Sequence, residues 1–500
     1  MRRRAGPLLL VVALGLLTVA PATALPAGSG ADTAAVPALA PLPRIDPDSP
    51  SLSRSGREQL RRADLEDAPR TSVSATIDPV TGAVDGRYRA RLERPADGTL
   101  QLRMLAGLPS YRAGVEVRAV RVDGKPTTAT RRDALLELDV PRGMHRFVEV
   151  SLEFSYRVPR GADLRGRFLT PATIGVLARH PGALLLGHWF PLWIPPGADA
   201  DADLSGYGDI GNFAAGAVTA RVAVPEGYTV YGPGVLVDER ATATGAVVMR
   251  TGVGLRDLAL VVARGLVPAE VPAGDTVVHT ATRPGIDAPA VATDAAATLV
   301  ALETAFGPYP WTELAAVEVP LGPEVGGMEW PGAVWIDGFR ADGGFDDVVA
   351  HELAHQYWHA LVGNDSITAP VVDEPLAQYS TCLVARTRGS EGGACRFGGR
   401  VLPGGPSPCI DRRTDEFGPG EYGELVYGEA PDFYAALERL IGADATVGAL
   451  RAVVDRHAFG TLTADELRDE LAAAVPDRSA EVTALWDRVI GAPGCTPVSR

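Results

Sequence analysis

The stretch Val348–Ser380, VVAHELAHQYWHALVGNDSITAPVVDEPLAQYS, sets two histidines four residues apart, a glutamate beside the first, and a second glutamate nineteen residues after the second histidine. In an α-helix, positions i and i+4 lie one above the other on the same face. His351 and His355 can therefore present two imidazoles to one ion. Glu352 sits about 100° around the helix from His351, beside the pair and within reach of a ligated water. The flanks DDVVA and LA give the helix one apolar side, which argues for burial over an incidental surface placement. Glu374 offers a third ligand at the start of a second helix, after the loop GNDSITAPVVD, and Pro375 suits a first helical turn, where no N–H is needed. Zinc prefers nitrogen and oxygen donors and keeps one open position when catalytic. It lowers the pKa of a ligated water towards about 7, and Glu352 can take the proton as that water attacks a carbonyl. His359 lies about 6 Å further along the axis, which suits packing or support of the ligands. Asp365 and Asp373 suit capping or support.

The wider sequence frames this site. The chain has 500 residues, 46% of them hydrophobic, and a formal net charge of -15. Its length calls for two or three domains, and its charge argues against nucleic acid or anionic membranes as partners. Arg2, Arg3 and Arg4 precede an apolar run from Leu8 to Ala20 and the triplet Ala22-Thr23-Ala24. This is the pattern of a signal peptide over 1–24 cleaved after Ala24. The run is short of the roughly 20 residues that span a bilayer, so a secreted protein with no stable membrane span is expected. Four cysteines in an exported chain suggest two disulfides with three possible pairings. Local spacing favours Cys395 with Cys409, leaving Cys382 for Cys495. No CxxC pair supports a thiolate site.

Residues 25–70 are rich in Ala, Pro, Ser and charge, and read as a flexible lead-in. Over 71–267, runs such as SVSATI, VEVRAVRV and RFVEVSLEFSYRV alternate with turn signals such as PVTG and PEGY, which predicts an antiparallel β domain. LLGHWFPLWIPPGADADADLSG interrupts it as a loop over the sheet or near a cleft. Over 268–500 the period becomes helical, with helices expected at Phe345–Val362, Pro375–Thr387, Pro431–Ile441, Ala443–His457 and Ala464–Val475. The fold class is α+β and multidomain.

The chain resembles the aminopeptidase N family of zinc metallopeptidases, the gluzincin group. HELAH, eighteen residues and then Glu374 resembles the family's HExxH-x18-E signature. GGMEWPGAVW (Gly326–Trp335) is similar to its GxMEN strand, and LVYGEAPDFYAALERL (Leu425–Leu440) to its tyrosine segment. The resemblance implies a β domain followed by a thermolysin-like catalytic domain with a helical end. It implies His351, His355 and Glu374 as ligands of one zinc ion, and Glu352 as general base. It also implies Glu329 as the carboxylate that holds the substrate's α-amino group. Gly326, Gly327 and Met328 would lie on the edge strand that pairs with the peptide. Tyr427 would be the oxyanion donor, with Tyr422 and Tyr434 as neighbours of the same type. From the residues alone, a peptide's ammonium or an internal arginine would serve as the partner of Glu329.

Departures from the family pattern are Trp330 for its Asn, Pro375 for its Gly, and Glu429-Ala430-Pro431 for its Lys-Gly. No counterpart of the second amine-binding residue stands near GHWFPLW. The chain ends about 65 residues past the Tyr427 segment, short of the family's large helical repeat domain, so a more open site is expected. The implied function is peptide hydrolysis from the N-terminus. The alternatives are an endopeptidase and a zinc-bearing scaffold without turnover.

Overall fold

Alternation in the sequence becomes alternation in burial. Ala83–Glu93 and Phe147–Arg157 pair along their full length, and in both every second side chain points into the core, as a half-buried strand requires. The structure, a computed structural model, describes residues 35–63, 65–164, 171–201, 204, 213–323, 325–390, 394–397, 409–418, 420–492 and 494–495. The expected signal peptide lies outside them.

These two strands belong to an eight-stranded sheet. Beyond Ala83–Glu93 it continues through Arg70–Asp78, Gly216–Pro225, Gly245–Leu255 and Val235–Thr242. Two four-stranded sheets complete the first half. One pairing departs from the antiparallel expectation: Arg70–Asp78 runs parallel to Gly216–Pro225, with Arg70 opposite Ala217 and Thr76 opposite Ala223. These strands are far apart in sequence, so no hairpin turn dictates their direction. The aromatic interruption is anchored in the core: Trp189 is fully buried and its indole N–H donates to the Leu258 carbonyl at 2.9 Å.

The second half is built on a five-stranded sheet in the order Val267–Ala273, Thr276–Thr282, Glu313–Glu318, Ala333–Ile336, Gly327–Trp330. The three central strands are parallel and the two edges antiparallel. Ala288–Phe306 forms a helix capped by Asp287 and stopped at Gly307, φ 102°, a conformation that favours glycine. Helices at Asp432–Ile441, Ala443–His457 and Ala464–Ala473 follow the expected order, and a further helix forms at Ser479–Trp486.

The described part of the lead-in packs against the body. Ser53 caps a helix at Arg54–Arg62, and its hydroxyl donates to the Tyr309 carbonyl at 2.8 Å. Leu52 and Leu60 are buried, each adding about 2 kcal/mol of burial. Gly56 is required here, because a Cβ would fall 1.9 Å from the Pro310 carbonyl oxygen. Two well-spaced leucines in a polar segment carry little periodicity, so the sequence alone does not announce the packing.

The disulfides correct the expected pairing. They are Cys382–Cys395 and Cys409–Cys495, with Cα separations of 4.7 and 5.8 Å. The Gly/Pro-rich loop is not closed on itself. At its start the chain folds back on the helix that carries Cys382, where the Ser390 N–H donates to the Ala385 carbonyl. At its end the Ile410 N–H donates to the Ile490 carbonyl, which brings Cys409 beside the C-terminal segment.

Candidate metal centre

Asp346 begins the metal helix, Asp347–Ala354, by accepting from the Val348 N–H at 3.0 Å. Val349, Ala350, Leu353 and Ala354 bury one side of it. The helix is shorter than Phe345–Val362. It ends at His355, and the chain continues in wider turns in which the Ala360 N–H donates to the His355 carbonyl. The buried guanidinium of Arg256 takes the place of the missing helical partners, donating to the carbonyls of Ala360 at 3.1 Å, Phe213 at 2.9 Å and Gly460. Burial lowers the Arg256 pKa to about 10, so it stays cationic at neutral pH. Gly363 makes room for it, since a Cβ there would lie 2.3 Å from the Arg256 Cζ.

The third candidate ligand arrives on the helix Glu374–Thr387, capped by Asp373, which accepts from the Glu374 N–H at 2.9 Å. Trp358 ties the two segments together, its indole N–H donating to Ser380 Oγ at 3.0 Å. Convergence is close. The His351 and His355 Nε2 atoms are 3.1 Å apart, and Glu374 Oε2 lies 3.1 Å from the first and 3.3 Å from the second. His355 Nδ1 lies 3.1 Å from the Trp358 carbonyl. That contact suits an Nδ1–H that leaves Nε2 as the ligand atom. His359 stays out of the cluster, 3.9 Å from Asp373.

Electrostatics favour positive charge at this point. Burial opposes protonation of His355, but Glu329, Glu374 and Glu352 overcome it and hold its pKa well above the usual imidazole value. Burial would raise the Glu374 pKa, and the two histidines hold it well below the usual carboxylate range instead. Two imidazole nitrogens and a carboxylate oxygen, facing one another in a buried, negatively biased spot, suit one divalent cation with the donor preferences of zinc.

The flanking groups gather around the cluster. Glu352 is buried, with its carboxylate packed on the backbone of the edge strand: a Cβ on Gly327 would lie 2.5 Å from Glu352 Oε1. Gly326 lies against Val348 in the same way, at 3.1 Å. Met328 and Glu329 are buried on the same strand, and the charge of Glu329 acts on both His355 and Tyr427. Tyr427 places its hydroxyl on the cluster, donating to Glu374 Oε1 at 2.6 Å, and its ring stacks 5.9 Å from that of His351. Burial and the Glu374 charge push its pKa well above the usual phenol value, so it remains a donor. Tyr434 instead stacks on Tyr379 at 5.2 Å, and Tyr422 packs on the ring of Tyr427 at 5.8 Å.

Three features have no counterpart in the sequence reading. Trp330 is buried against Gly187 and His188 of the first half, its ring 5.0 Å from that of His188. His188 in turn lies 2.9 Å from Asp257. Arg256 and Gln356 bond to backbone around the metal helix. An amide or guanidinium whose partners are distant in sequence leaves no local signature, so spacing could not have found them.

No protein-family model and no curated protein matches this chain. Solved structures do. An M1 zinc metallopeptidase from Deinococcus radiodurans aligns with TM-score 0.62 and 18% identity over 85% of this chain and 93% of that one. A variant of the Deinococcus enzyme bound to a Tyr-Ser-Ala substrate gives 0.62 and 19%, over 85% and 94%. Yeast LTA4 hydrolase in complex with bestatin gives 0.59 and 15%, over 85% of this chain and 68% of that one. The five-stranded sheet with its helices and the β-rich first half together have the fold of the two-domain M1 zinc metallopeptidases.

Proposed function

We propose that this chain is an exported zinc metallopeptidase that removes N-terminal residues from peptides. The observation that carries the reading is one constellation: His351, His355 and Glu374 converge, with Glu352 on one flank, Tyr427 on another and Glu329 on the edge strand beside them. The three convergent residues would hold one zinc ion. Zinc, when bound, acidifies water and polarises the scissile carbonyl. Glu352 takes the proton of the attacking water and passes it to the leaving amine. Tyr427 donates its hydroxyl to the oxygen on which charge develops. The buried carboxylate of Glu329 accepts the substrate's ammonium and so counts residues from the N-terminus. Gly326, Gly327 and Met328 offer edge-strand backbone to an extended peptide. Likeness of fold to zinc peptidases, one of them solved with a peptide substrate, supports this reading.

Export is supported by the basic and apolar start of the sequence and by two disulfides, which persist in oxidising compartments. Among the described residues no helix is long and apolar enough to cross a membrane.

The test is a panel of fluorogenic aminoacyl substrates and their N-acetylated counterparts, with and without a chelator. The expected result is a preference for the free amine of about a hundredfold, reflecting one buried charge pair. Chelation should abolish hydrolysis and zinc should restore it. Equal rates on acetylated substrates would make the enzyme an endopeptidase, and no hydrolysis of any substrate would leave a metal-bearing scaffold.

A second expected result concerns Gly327. In Gly327→Ala the new methyl group occupies the space of the Glu352 carboxylate. Displacing the base by about 1 Å predicts a loss of about a hundredfold in kcat/KM, with zinc content unchanged. Steady-state kinetics beside metal analysis of the purified variant checks it.

A further inference from the structure

Gln356 follows the second imidazole in sequence and is fully buried. Its Oε1 accepts from the Tyr309 hydroxyl at 3.1 Å and from the Gly332 N–H at 2.9 Å. Its Nε2 donates to the Trp330 carbonyl at 3.0 Å. Two donors aimed at one oxygen fix which way the amide points.

Trp330 and Gly332 belong to the tight turn between Gly327–Trp330 and Ala333–Ile336, in which Trp330 pairs with Ala333 across Pro331 and Gly332. Proline followed by glycine at φ 80° suits a type II turn. Such turns splay a two-residue hairpin, because their twist opposes that of the strands. This hairpin is therefore poorly fixed by its own turn. The Ala315 N–H holds the Gly332 carbonyl at 3.1 Å from the neighbouring strand, and the Gln356 amide adds the restraint from the metal-helix side by engaging the Gly332 N–H. The same side chain springs from the residue next to His355 and grips the residue next to Glu329.

We infer that Gln356 is a positioning residue that fixes the Glu329 hairpin against the metal helix. It thereby sets the span between the metal ligands and the carboxylate that receives the substrate's amine. The inference rests on the peptidase reading above and deepens it.

The experiment uses the full zinc-loaded chain with Gln356→Met, close in shape but without hydrogen bonds, and Tyr309→Phe, which removes a single bond to the amide oxygen. For each, kcat and KM are measured on free and N-acetylated aminoacyl substrates, together with zinc content and Tm. In Gln356→Met, KM for the free substrates should rise about tenfold and the preference for a free amine should fall about tenfold, while kcat changes less than about threefold. Zinc should stay at one per chain. Tyr309→Phe should show the same pattern at about threefold, and it decides the matter alone if Gln356→Met does not fold. General loosening of the structure would lower kcat and Tm without moving the free-to-acetylated ratio. A folded variant with the wild-type KM and ratio overturns the inference and leaves the peptidase reading standing. A wild-type protein with no preference for free amines overturns that reading, and the inference with it.

Discussion

Glu352→Gln should lower kcat by about a thousandfold while zinc remains at one per chain, because loss of a positioned general base costs about 10²–10⁴ in rate. The substitution keeps the shape of the side chain and its packing on Gly327, so the metal ligands and the edge strand should stay in place. Only the ability to accept a proton is lost. KM should change little, since the proposed function gives the ammonium and the peptide backbone to other groups. The measurement is kcat and KM with metal analysis on the same preparation. Turnover equal to wild type would remove Glu352 from the mechanism, whatever the metal content.

The second large effect is expected from Glu374→Ala. Zinc sites contribute about 10–16 kcal/mol over three or four ligands, so one ligand is worth about 4 kcal/mol, or about a thousandfold in affinity. The variant should purify without stoichiometric zinc and show no hydrolysis. Its thermal unfolding supplies a readout independent of activity. Wild-type Tm should rise when zinc replaces chelator, because ligand that binds only the folded state stabilises it. In Glu374→Ala that rise should vanish at the same free zinc. The substitution also strips the acceptor from the Tyr427 hydroxyl, so a modest drop in Tm is expected even under chelator. If the zinc-dependent rise survived, Glu374 would not be a ligand.

Much of the site was legible because its information is local. Four-residue spacing fixes the two histidines on one helical face. Asp373 and Pro375 mark a helix start that the structure places within a residue of expectation. Alternation in RFVEVSLEFSYRV announced a half-buried strand, and the helix Ala443–His457 fell at its predicted limits. What escaped depends on long-range partners. The early end of the metal helix is permitted by Arg256, about a hundred residues upstream, which takes over carbonyls the helix leaves open. The parallel neighbour of Arg70–Asp78 is a strand more than a hundred residues away. Cysteine pairing followed where each end of a loop was pinned, and spacing carries no record of that.

The seat of Trp330 between Gly187 and His188, and the reach of Arg256 from the first half to Ala360 and Gly460, bear on how this chain can diverge. The half that bears every candidate ligand is packed on and hydrogen-bonded to the other half around those ligands. Recombination that grafted a foreign β-rich half onto it would have to import a matching cradle for the indole and a guanidinium at the right depth. A side chain larger than hydrogen at position 187 would meet the Trp330 ring at 2.5 Å, so an exchange of halves that brought one in would call for a smaller residue at position 330.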